Sequence, residues 1–349
     1  MRRVARPHRV ALLAMTALVL ASCSSGATSA KRPPPASTPV SADKVAARPS
    51  AGCTSAPPVA PGEEKVSIDS GGTSRWFFRH VPTGYDAKRP TPLVVDIHGY
   101  SEGATVHTKM SALGPYGDQH GFITATPQGR GQVPFWDTAL DGVDMQFIRA
   151  LLDSADRTLC VDDNRVYVTG LSNGAFMTSA IACALSDRVA AAAPVAGIRD
   201  IGGCRPSRPV PVVAFHGTQD PFVAWEGGLG PKALALPAPD GSGRTLAQQG
   251  LANADKGPSI TEISAAWGRR NGCSGPPGEQ PVAADVTLVR FKCPAGAETE
   301  LYRVTGGGHT WPGSDFSKAI ASFVGSTTSS ISANDVMWTF FTGHPRRER

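Results

Sequence analysis

A serine between two glycines, directly after an apolar run, is the pattern in this chain that most clearly indicates chemistry. The sequence is GLSNG at residues 170–174, with Ser172 at its centre, and it follows RVYVT at residues 165–169. Such a G-x-S-x-G pattern is typical of a nucleophile elbow, a sharp turn from strand to helix that presents the serine hydroxyl. The turn strains the backbone, so its flanking positions need residues almost free of side chain. Because the chain contains 38 glycines, the pattern needs support from its context.

A nucleophilic serine needs a histidine as general base and an acid that orients this histidine. In hydrolases with such an elbow, the chain order is Ser, then Asp or Glu, then His. Three histidines follow the serine, namely His216, His309 and His344. His344 lies in a charged tail, and His216 ends a predicted strand before any acid at that strand's end. The predicted base is therefore His309, in the glycine-rich stretch 306–313.

The acid is expected just after the seventh predicted strand, where Asp220 stands. Its carboxylate would accept the ring N–H of the base, fix the tautomer and stabilise the imidazolium. Asp285 is the alternative. Asp240 and Asp255 lie in an irregular stretch, which is a poor support for a rigid orienting group.

Donors for the oxyanion of a tetrahedral intermediate are expected at two backbone positions. The N–H of Asn173 follows the nucleophile and belongs to the elbow. The N–H of Tyr100, in the turn after the third predicted strand, is the second candidate. We expect His98, in the same turn, to brace the loop and not to transfer protons.

The elements that must position these residues alternate along the chain. Helical spacing of apolar residues recurs in 143–152 and 175–185, and a last helix is predicted over 332–341 with Ser332 as its N-cap. The later strands are short, continuous apolar runs, typical of a parallel sheet covered on both faces. These patterns predict an α/β class with helices on both faces of a mostly parallel sheet. Eight strands are expected, at residues 65–68, 75–81, 92–97, 122–126, 165–169, 189–195, 210–215 and 300–304.

Residues 225–258 interrupt the alternation. They are rich in Gly, Pro and Ala, show no sustained period, and follow a strand end at the edge where ligands bind in such sheets. Two interpretations stay open, namely a lid or substrate-shaping loop, and a plain surface insertion.

The beginning of the chain predicts export. Four arginines precede a short apolar stretch within residues 1–22, as in a signal peptide. The sequence LASC, which ends at Cys23, resembles a bacterial lipobox and predicts lipidation of this cysteine; an ordinary secretory signal is the alternative. Residues 23–51 read as a disordered Pro/Ser/Ala tether. The catalytic domain is expected over 52–345.

The charge of the chain excludes one class of partner. Removal of the signal peptide lowers the formal net charge from +5 to about +1, because the segment carries four arginines and no acidic residue. The remaining Lys and Arg are scattered and form no basic stripe. We therefore expect no binding to nucleic acid.

Six cysteines remain after Cys23, an even number in an exported chain, so disulfides are the expected role. Six cysteines allow 15 pairings. The predicted pairs are Cys183 with Cys204, Cys273 with Cys293, and Cys53 with Cys160. Because no C-x-x-C or H-x-x-x-H spacing occurs, a zinc site has little support. Catalysis through a serine, histidine and acid needs no further group, so no metal and no cofactor is expected.

Five segments of the chain carry a resemblance to a known family. The segments are LVVDIHG at 93–99, RVYVTGLSNGA at 165–175, AAPVAG at 192–197, FHGTQD at 215–220 and GGHTWPG at 307–313. Together they resemble the polyhydroxybutyrate depolymerase and feruloyl esterase-like branch of the α/β-hydrolases, which includes surface lipoprotein esterases. The resemblance covers about residues 62–345 and implies an α/β-hydrolase fold with Ser172 as nucleophile, Asp220 as acid and His309 as base.

The resemblance also suggests that Trp311 lines an acyl or aromatic pocket, and Trp136 and Trp225 are further candidates for substrate binding. By bulk alone, all three tryptophans could equally be core residues. The structure has to decide between the two roles.

The expected function is a serine-dependent carboxylic ester hydrolase that works through an acyl-enzyme, on feruloyl, acetyl or short hydroxyalkanoate esters. A surface acyltransferase with the same triad is one alternative, and a non-catalytic glycan- or polymer-binding protein is another. We expect a monomer, exported and held at the membrane by its lipid alone, with an ester as its partner. No polymer-binding module is expected after the catalytic domain, which argues against attack on solid polyester.

Overall fold

A single mixed sheet is the frame of the fold. The computed structural model describes residues 45–253 and 255–347. The chain divides into two units, Met1–Ser41 and Ala42–Arg349, and all described residues belong to the second. The predicted signal peptide and Cys23 lie outside the described residues.

The sheet has ten strands in the order β1-β2-β4-β3-β5-β6-β7-β10-β9-β8 among the described residues. The six central strands, from β4 to β10 in this order, run parallel, and an antiparallel pair flanks them on each side. The strands are β1 Gly62–Ser70, β2 Thr73–Val81, β3 Thr91–Ile97, β4 Ile123–Pro127, β5 Val161–Leu171, β6 Ala191–Val195, β7 Val212–Gly217, β8 Gly278–Ala283, β9 Val286–Arg290 and β10 Thr299–Val304.

The predicted mostly parallel sheet is confirmed, but the predicted number of eight strands is wrong. The sequence pattern missed β8 and β9. Almost every residue of β8 is exposed and the strand contains Pro281, so it carries no apolar signal. The eighth predicted strand is β10.

Helices cover both faces of this sheet. Along β5, Val166 and Val168 join one hydrophobic cluster, whereas Tyr167 between them joins the other. The first cluster contains residues of α4, α5 and α7, and the second contains residues of α2, α3 and α10. The helices are α1 Gly52–Ser55, α2 Ala104–Ser111, α3 Leu113–His120, α4 Val143–Thr158, α5 Asn173–Ala184, α6 Pro231–Leu234, α7 Ile260–Arg270, α8 Asp315–Ala319, α9 Ala321–Val324 and α10 Ala333–Gly343.

The predicted N-cap of the last helix is present. The Ser332 hydroxyl accepts the backbone N–H of Asp335 at 3.2 Å, which satisfies one of the free donors at the start of α10. None of the helices in residues 45–253 and 255–347 has the length and apolar character needed to cross a membrane.

The folded domain begins earlier than predicted. Ser50 is buried and its hydroxyl donates to the carbonyl of Leu159 at 2.8 Å, while Pro49 forms a bridge with Asp162. Residues 45–51 therefore belong to the domain and not to the tether predicted over 23–51. Most of their contacts use backbone and hydroxyl groups, which composition does not reveal, and Arg48 adds an ion pair with Asp163 at 3.8 Å.

Three disulfides join the described cysteines, namely Cys53–Cys160, Cys183–Cys204 and Cys273–Cys293. These are the pairs expected from the sequence. Disulfides of this kind persist in oxidising compartments, so they indicate an extracellular protein.

The disulfide between Cys53 and Cys160 should contribute most to stability, because its cysteines are 107 positions apart, against 20 for Cys273 and Cys293. The loop-entropy relation gives about 5 kcal/mol for the long loop and about 3 kcal/mol for the short one. We expect the variant in which Cys53 and Cys160 are both replaced by Ala to lose more free energy of unfolding than the variant in which Cys273 and Cys293 are both replaced. Urea titrations measure both losses. Equal losses would contradict this order.

Candidate active site

Ser172 stands at a turn that only its glycine neighbours allow. It lies between the end of β5 and the start of α5, with φ +58° and ψ −119°. A Cβ on Gly174 would lie 2.1 Å from the carbonyl oxygen of Ile97, and one on Gly170 would lie 2.6 Å from the same atom. The two glycines therefore let the elbow pack directly against the end of β3.

Asp220 and His309 meet because their strands are parallel neighbours. Gly217, at the end of β7, pairs with Val304, at the end of β10, so the loops that follow lie side by side. Nδ1 of His309 donates to Oδ2 of Asp220 at 2.7 Å, and both side chains are almost fully buried. The alternative acid, Asp285, lies in the turn between β8 and β9.

The carboxylate of Asp220 is held in its charged form. Its Oδ1 accepts the backbone N–H groups of Phe222 and Val223 at 2.8 and 2.9 Å. Burial by itself would raise the pKa of Asp220, but His309 and these donors bring it below its ordinary value. A buried carboxylate of this kind can fix the tautomer of His309 and stabilise its protonated form.

Ser172 and His309 line one cavity of about 830 Å³. Because Nδ1 of His309 is bound to Asp220, Nε2 is the ring nitrogen left for proton transfer. Within the described part of the chain, no hydrogen bond joins Ser172 to His309. In unliganded hydrolases this bond is often long and shortens when substrate binds.

The two backbone N–H groups expected to bind an oxyanion border the same cavity, since Tyr100 and Asn173 both line it. Beside Tyr100, the N–H of Gly99 donates to Glu102 at 2.6 Å and that of Ser101 donates to the carbonyl of Pro134 at 2.8 Å. Across residues 45–253 and 255–347, the N–H groups of Tyr100 and Asn173 have no such acceptor in the protein. They are therefore available to a ligand.

The Asn173 side chain fixes the start of α5. Its Oδ1 accepts the backbone N–H of Trp136 at 2.7 Å, and its Nδ2 donates to the carbonyl of Trp136 at 3.1 Å. The indole N–H of Trp136 in turn donates to the carbonyl of His98 at 2.9 Å. Through Trp136, the nucleophile turn is connected to the loop after β3.

The expectation that Trp136, Trp225 and Trp311 contact substrate is not met, because none of them is among the described residues that line the cavity. Trp136 and Trp311 are 3% and 1% exposed, and the Trp311 indole donates to Asn334 at 2.8 Å. Trp225 packs against the core, with its ring 6.0 Å from that of His216. Trp136 and Trp311 are core residues and Trp225 is half-buried against the core, roles that bulk alone left open.

A buried charge network under the loop after β3 escaped the sequence reasoning. Nε2 of His107 is 2.7 Å from Asp96, and its Nδ1 is 3.1 Å from both carboxylate oxygens of Glu102. Burial alone would lower the pKa of His107, but the two carboxylates raise it to about 10. The protonated ring thus holds Glu102, which accepts the N–H of Gly99. In the sequence, the one sign of this network was an acidic residue, Asp96, within an apolar run. No pattern in the sequence indicated that His107 is its partner.

His98 braces the loop, as expected. Its Nδ1–H donates to the carbonyl of Gly99 at 2.7 Å, and its Nε2 accepts the N–H of Gly129 at 2.8 Å. Burial lowers the pKa of His98 to about 4, so the ring is neutral and this tautomer satisfies both bonds. His216, also buried, lies behind the acid, with Nε2 2.9 Å from the carbonyl of Val223 and 3.4 Å from Asp220.

The His107 network predicts a pH dependence of stability. The pKa of His107 is about 10 in the folded protein and about 6.5 in the unfolded chain. Its contribution is therefore complete below pH 6.5 and is lost as the pH rises towards 10. The free energy of unfolding should differ most between wild type and His107→Gln at pH 6 and least at pH 10, in urea titrations at both values.

His120→Gln, at the exposed end of α3, is the matched control for these titrations. Its difference from wild type should change much less over the same range. A His107→Gln difference that stays constant from pH 6 to 10 would contradict the charged state assigned to His107.

Comparison with known proteins finds relatives whose names are those of ester-cleaving enzymes. It is 30% identical to feruloyl esterase B of Piromyces equi over 239 residues, 65% of this chain and 41% of the relative. It is 35% identical to poly(3-hydroxyalkanoate) depolymerase C of Paucimonas lemoignei over 130 residues, 35% of this chain and 31% of the relative. The chain thus spans less than half the length of these two curated relatives.

The fold has a counterpart among solved structures. An acetyl xylan esterase from Aspergillus awamori superposes with a TM-score of 0.52 at 16% identity, over 75% of this chain and 98% of that one. At this identity the likeness concerns the fold alone. No protein-family model matches the chain. The sheet, the elbow and these comparisons agree: the fold is that of an α/β-hydrolase, and the chain is similar to a feruloyl esterase and to a poly(3-hydroxyalkanoate) depolymerase.

Proposed function

We propose that this protein is a serine-dependent carboxylic ester hydrolase. One observation carries the proposal: Ser172, on a strained elbow, shares a cavity with a histidine whose Nδ1 is bound to a buried aspartate. This is the set of groups that acyl transfer through a serine requires. The names of the relatives support the same reaction class.

Each group has one role in this mechanism. Ser172 Oγ attacks the ester carbonyl while Nε2 of His309 takes its proton, and Asp220 stabilises the imidazolium. The N–H groups of Asn173 and Tyr100 bind the oxyanion. The C–O bond to the alcohol then breaks, His309 gives its proton to the leaving oxygen, and the acyl-enzyme remains. Water, activated by His309, hydrolyses the acyl-enzyme and restores Ser172.

The place of action belongs to the same proposal. The sequence LASC before residue 24 supports lipidation of Cys23, and the Pro/Ser/Ala-rich segment after it supports a tether. The enzyme would then work outside the cell, attached through its lipid, as a monomer whose partner is an ester. Feruloyl, acetyl and hydroxyalkanoate esters are the starting panel suggested by the relatives.

Ser172→Ala should lower kcat/KM for p-nitrophenyl butanoate by at least about 10⁴-fold, because loss of a triad nucleophile removes the covalent route. Ser274→Ala, an exposed serine outside the cavity, is the matched control and should keep the wild-type rate. A fluorophosphonate probe should label wild type and the control but not Ser172→Ala. Unchanged hydrolysis by Ser172→Ala would contradict the proposal.

Asp220→Asn should lower kcat by about 10³- to 10⁴-fold, because an amide cannot hold His309 in the required tautomer. Asp285→Asn tests the alternative acid and should have little effect, since Asp285 lies in the turn between β8 and β9. Steady-state kinetics on the same ester measure both variants. If Asp285→Asn lost more of kcat than Asp220→Asn, Asp285 and not Asp220 would be the acid that orients His309.

A further inference from the structure

The leaving-alcohol side of the cavity can be located from His309, if the proposed function holds. In ester cleavage, Nε2 of His309 must reach the departing oxygen, since Nδ1 is held by Asp220 at 2.7 Å. The alcohol part of the substrate therefore lies against the side chains packed around this imidazole. Their chemistry decides which alcohols are accepted.

Two phenylalanines follow one another outward from His309, in a tilted and then an edge-to-face ring contact. The Phe222 ring lies 4.8 Å from the His309 ring, and the Phe323 ring lies 5.1 Å from that of Phe222. Phe222 is buried at 6% exposure, whereas Phe323 is 52% exposed although it is a large aromatic residue. Both line the cavity. Phe323 is thus an apolar surface at the mouth of the cavity, two rings away from the base.

The segment that carries Phe323 is bonded to the catalytic loop. The N–H of His309 donates to the carbonyl of Val324 at 2.7 Å, and that of Gly308 donates to the carbonyl of Ser326 at 2.8 Å. On the other side, Lys232 of α6 donates to the carbonyls of Ser322 and Phe323 at 2.9 and 2.7 Å. The position of this segment is therefore fixed relative to His309.

The two segments beside His309 offer the cavity only apolar side chains, within the described part of the chain. The acid loop contributes Phe222, Val223 and Ala224, and residues 315–324 contribute Phe316, Ile320, Phe323 and Val324. We call the group of Phe222, Phe316, Ile320, Phe323 and Val324 the aromatic wall.

Charged lining residues come from other segments. Arg199 and Asp200 follow β6, and Asp255 and Lys256 end the stretch 225–258. The ammonium of Lys232 lies 5.7 Å from the centre of the Phe323 ring and donates to the backbone carbonyls of Ser322 and Phe323. A sugar hydroxyl placed against the wall would lose water without gaining a partner, whereas an alkyl or aryl group would gain by leaving water.

We propose that the aromatic wall is a leaving-group subsite for apolar alcohols, so that this enzyme prefers esters of medium-chain alkyl or arylalkyl alcohols over esters of sugar hydroxyls. The proposal rests on the proposed function and adds the alcohol class to it. The reaction is unchanged: the ester C–O bond breaks, and the apolar alkoxide takes its proton from His309.

A matched pair of substrates tests the subsite. Hexyl acetate and 2-(2-hydroxyethoxy)ethyl acetate share the acyl group and the length of the alcohol, and they differ in polarity. Wild type should show a kcat/KM at least about tenfold higher for hexyl acetate, because several methylenes leave water on the wall. The preference should lie mainly in KM.

Variants of Phe323 connect the preference to the wall. Phe323→Ser should reduce the hexyl-to-polar ratio of kcat/KM about tenfold, and Phe323→Leu should restore most of it, because Leu keeps the apolar contact. Val282→Ser is the matched control, since Val282 is 40% exposed on β8 and does not line the cavity. Its ratio should equal that of wild type.

The outcomes separate the two levels of the proposal. Ser172-dependent hydrolysis with equal rates on both esters, or a preference for the polar ester, would overturn the subsite and leave the hydrolase standing. A ratio that Phe323→Ser leaves unchanged would also overturn it. If wild type hydrolysed none of the three esters, namely hexyl acetate, 2-(2-hydroxyethoxy)ethyl acetate and p-nitrophenyl butanoate, the proposed function would be overturned, and the subsite with it.

Discussion

The contact between the elbow and the end of β3 is the constraint on which the rest of the site depends. The carbonyl of Ile97 touches the backbone at Gly170 and Gly174, at distances that exclude any side chain there. A Cβ on Gly99 would lie 3.4 Å from that of Ser172, which is ordinary van der Waals contact and shows how near the loop lies to the serine. The loop after β3, with the Tyr100 N–H, is thus held against the nucleophile. A single methyl group on either elbow glycine would separate them.

Buried charges around this contact are balanced locally. His107 stands between Asp96 and Glu102, and Asp144 is 3.0 Å from Arg75 and 3.1 Å from Arg130. Removing one partner would leave an unpaired charge out of water, which costs far more than the pair contributes. These groups do no chemistry themselves. They fix the loops that carry the groups proposed to act on the substrate.

The stretch 225–258 is part of the cavity and is tied to both of its sides. The Tyr100 hydroxyl donates to the carbonyl of Pro237 at 2.7 Å, so the residue whose N–H is proposed to bind the oxyanion also contacts this stretch. Lys232 reaches the segment beside His309. Of the two interpretations left open by the sequence, the substrate-shaping loop fits these contacts. Leucines from this stretch add to the apolar lining, namely Leu229, Leu234, Leu236, Leu246 and Leu251.

The sequence by itself determined the parts whose signal lies within a few neighbouring residues, namely the elbow around Ser172 and the apolar runs of the parallel strands. The order of Asp220 and His309 is likewise read from the chain, whereas the pairing of the six cysteines was one of 15 possibilities and needed the structure to confirm it. Tertiary structure alone decided that Trp136 and Trp311 belong to the core and that His107 is charged. It also decided that Phe222 and Phe323 adjoin His309. The physical reason is that burial, charge state and cavity lining depend on segments that are distant in the chain. Such neighbours leave no periodic trace in the sequence.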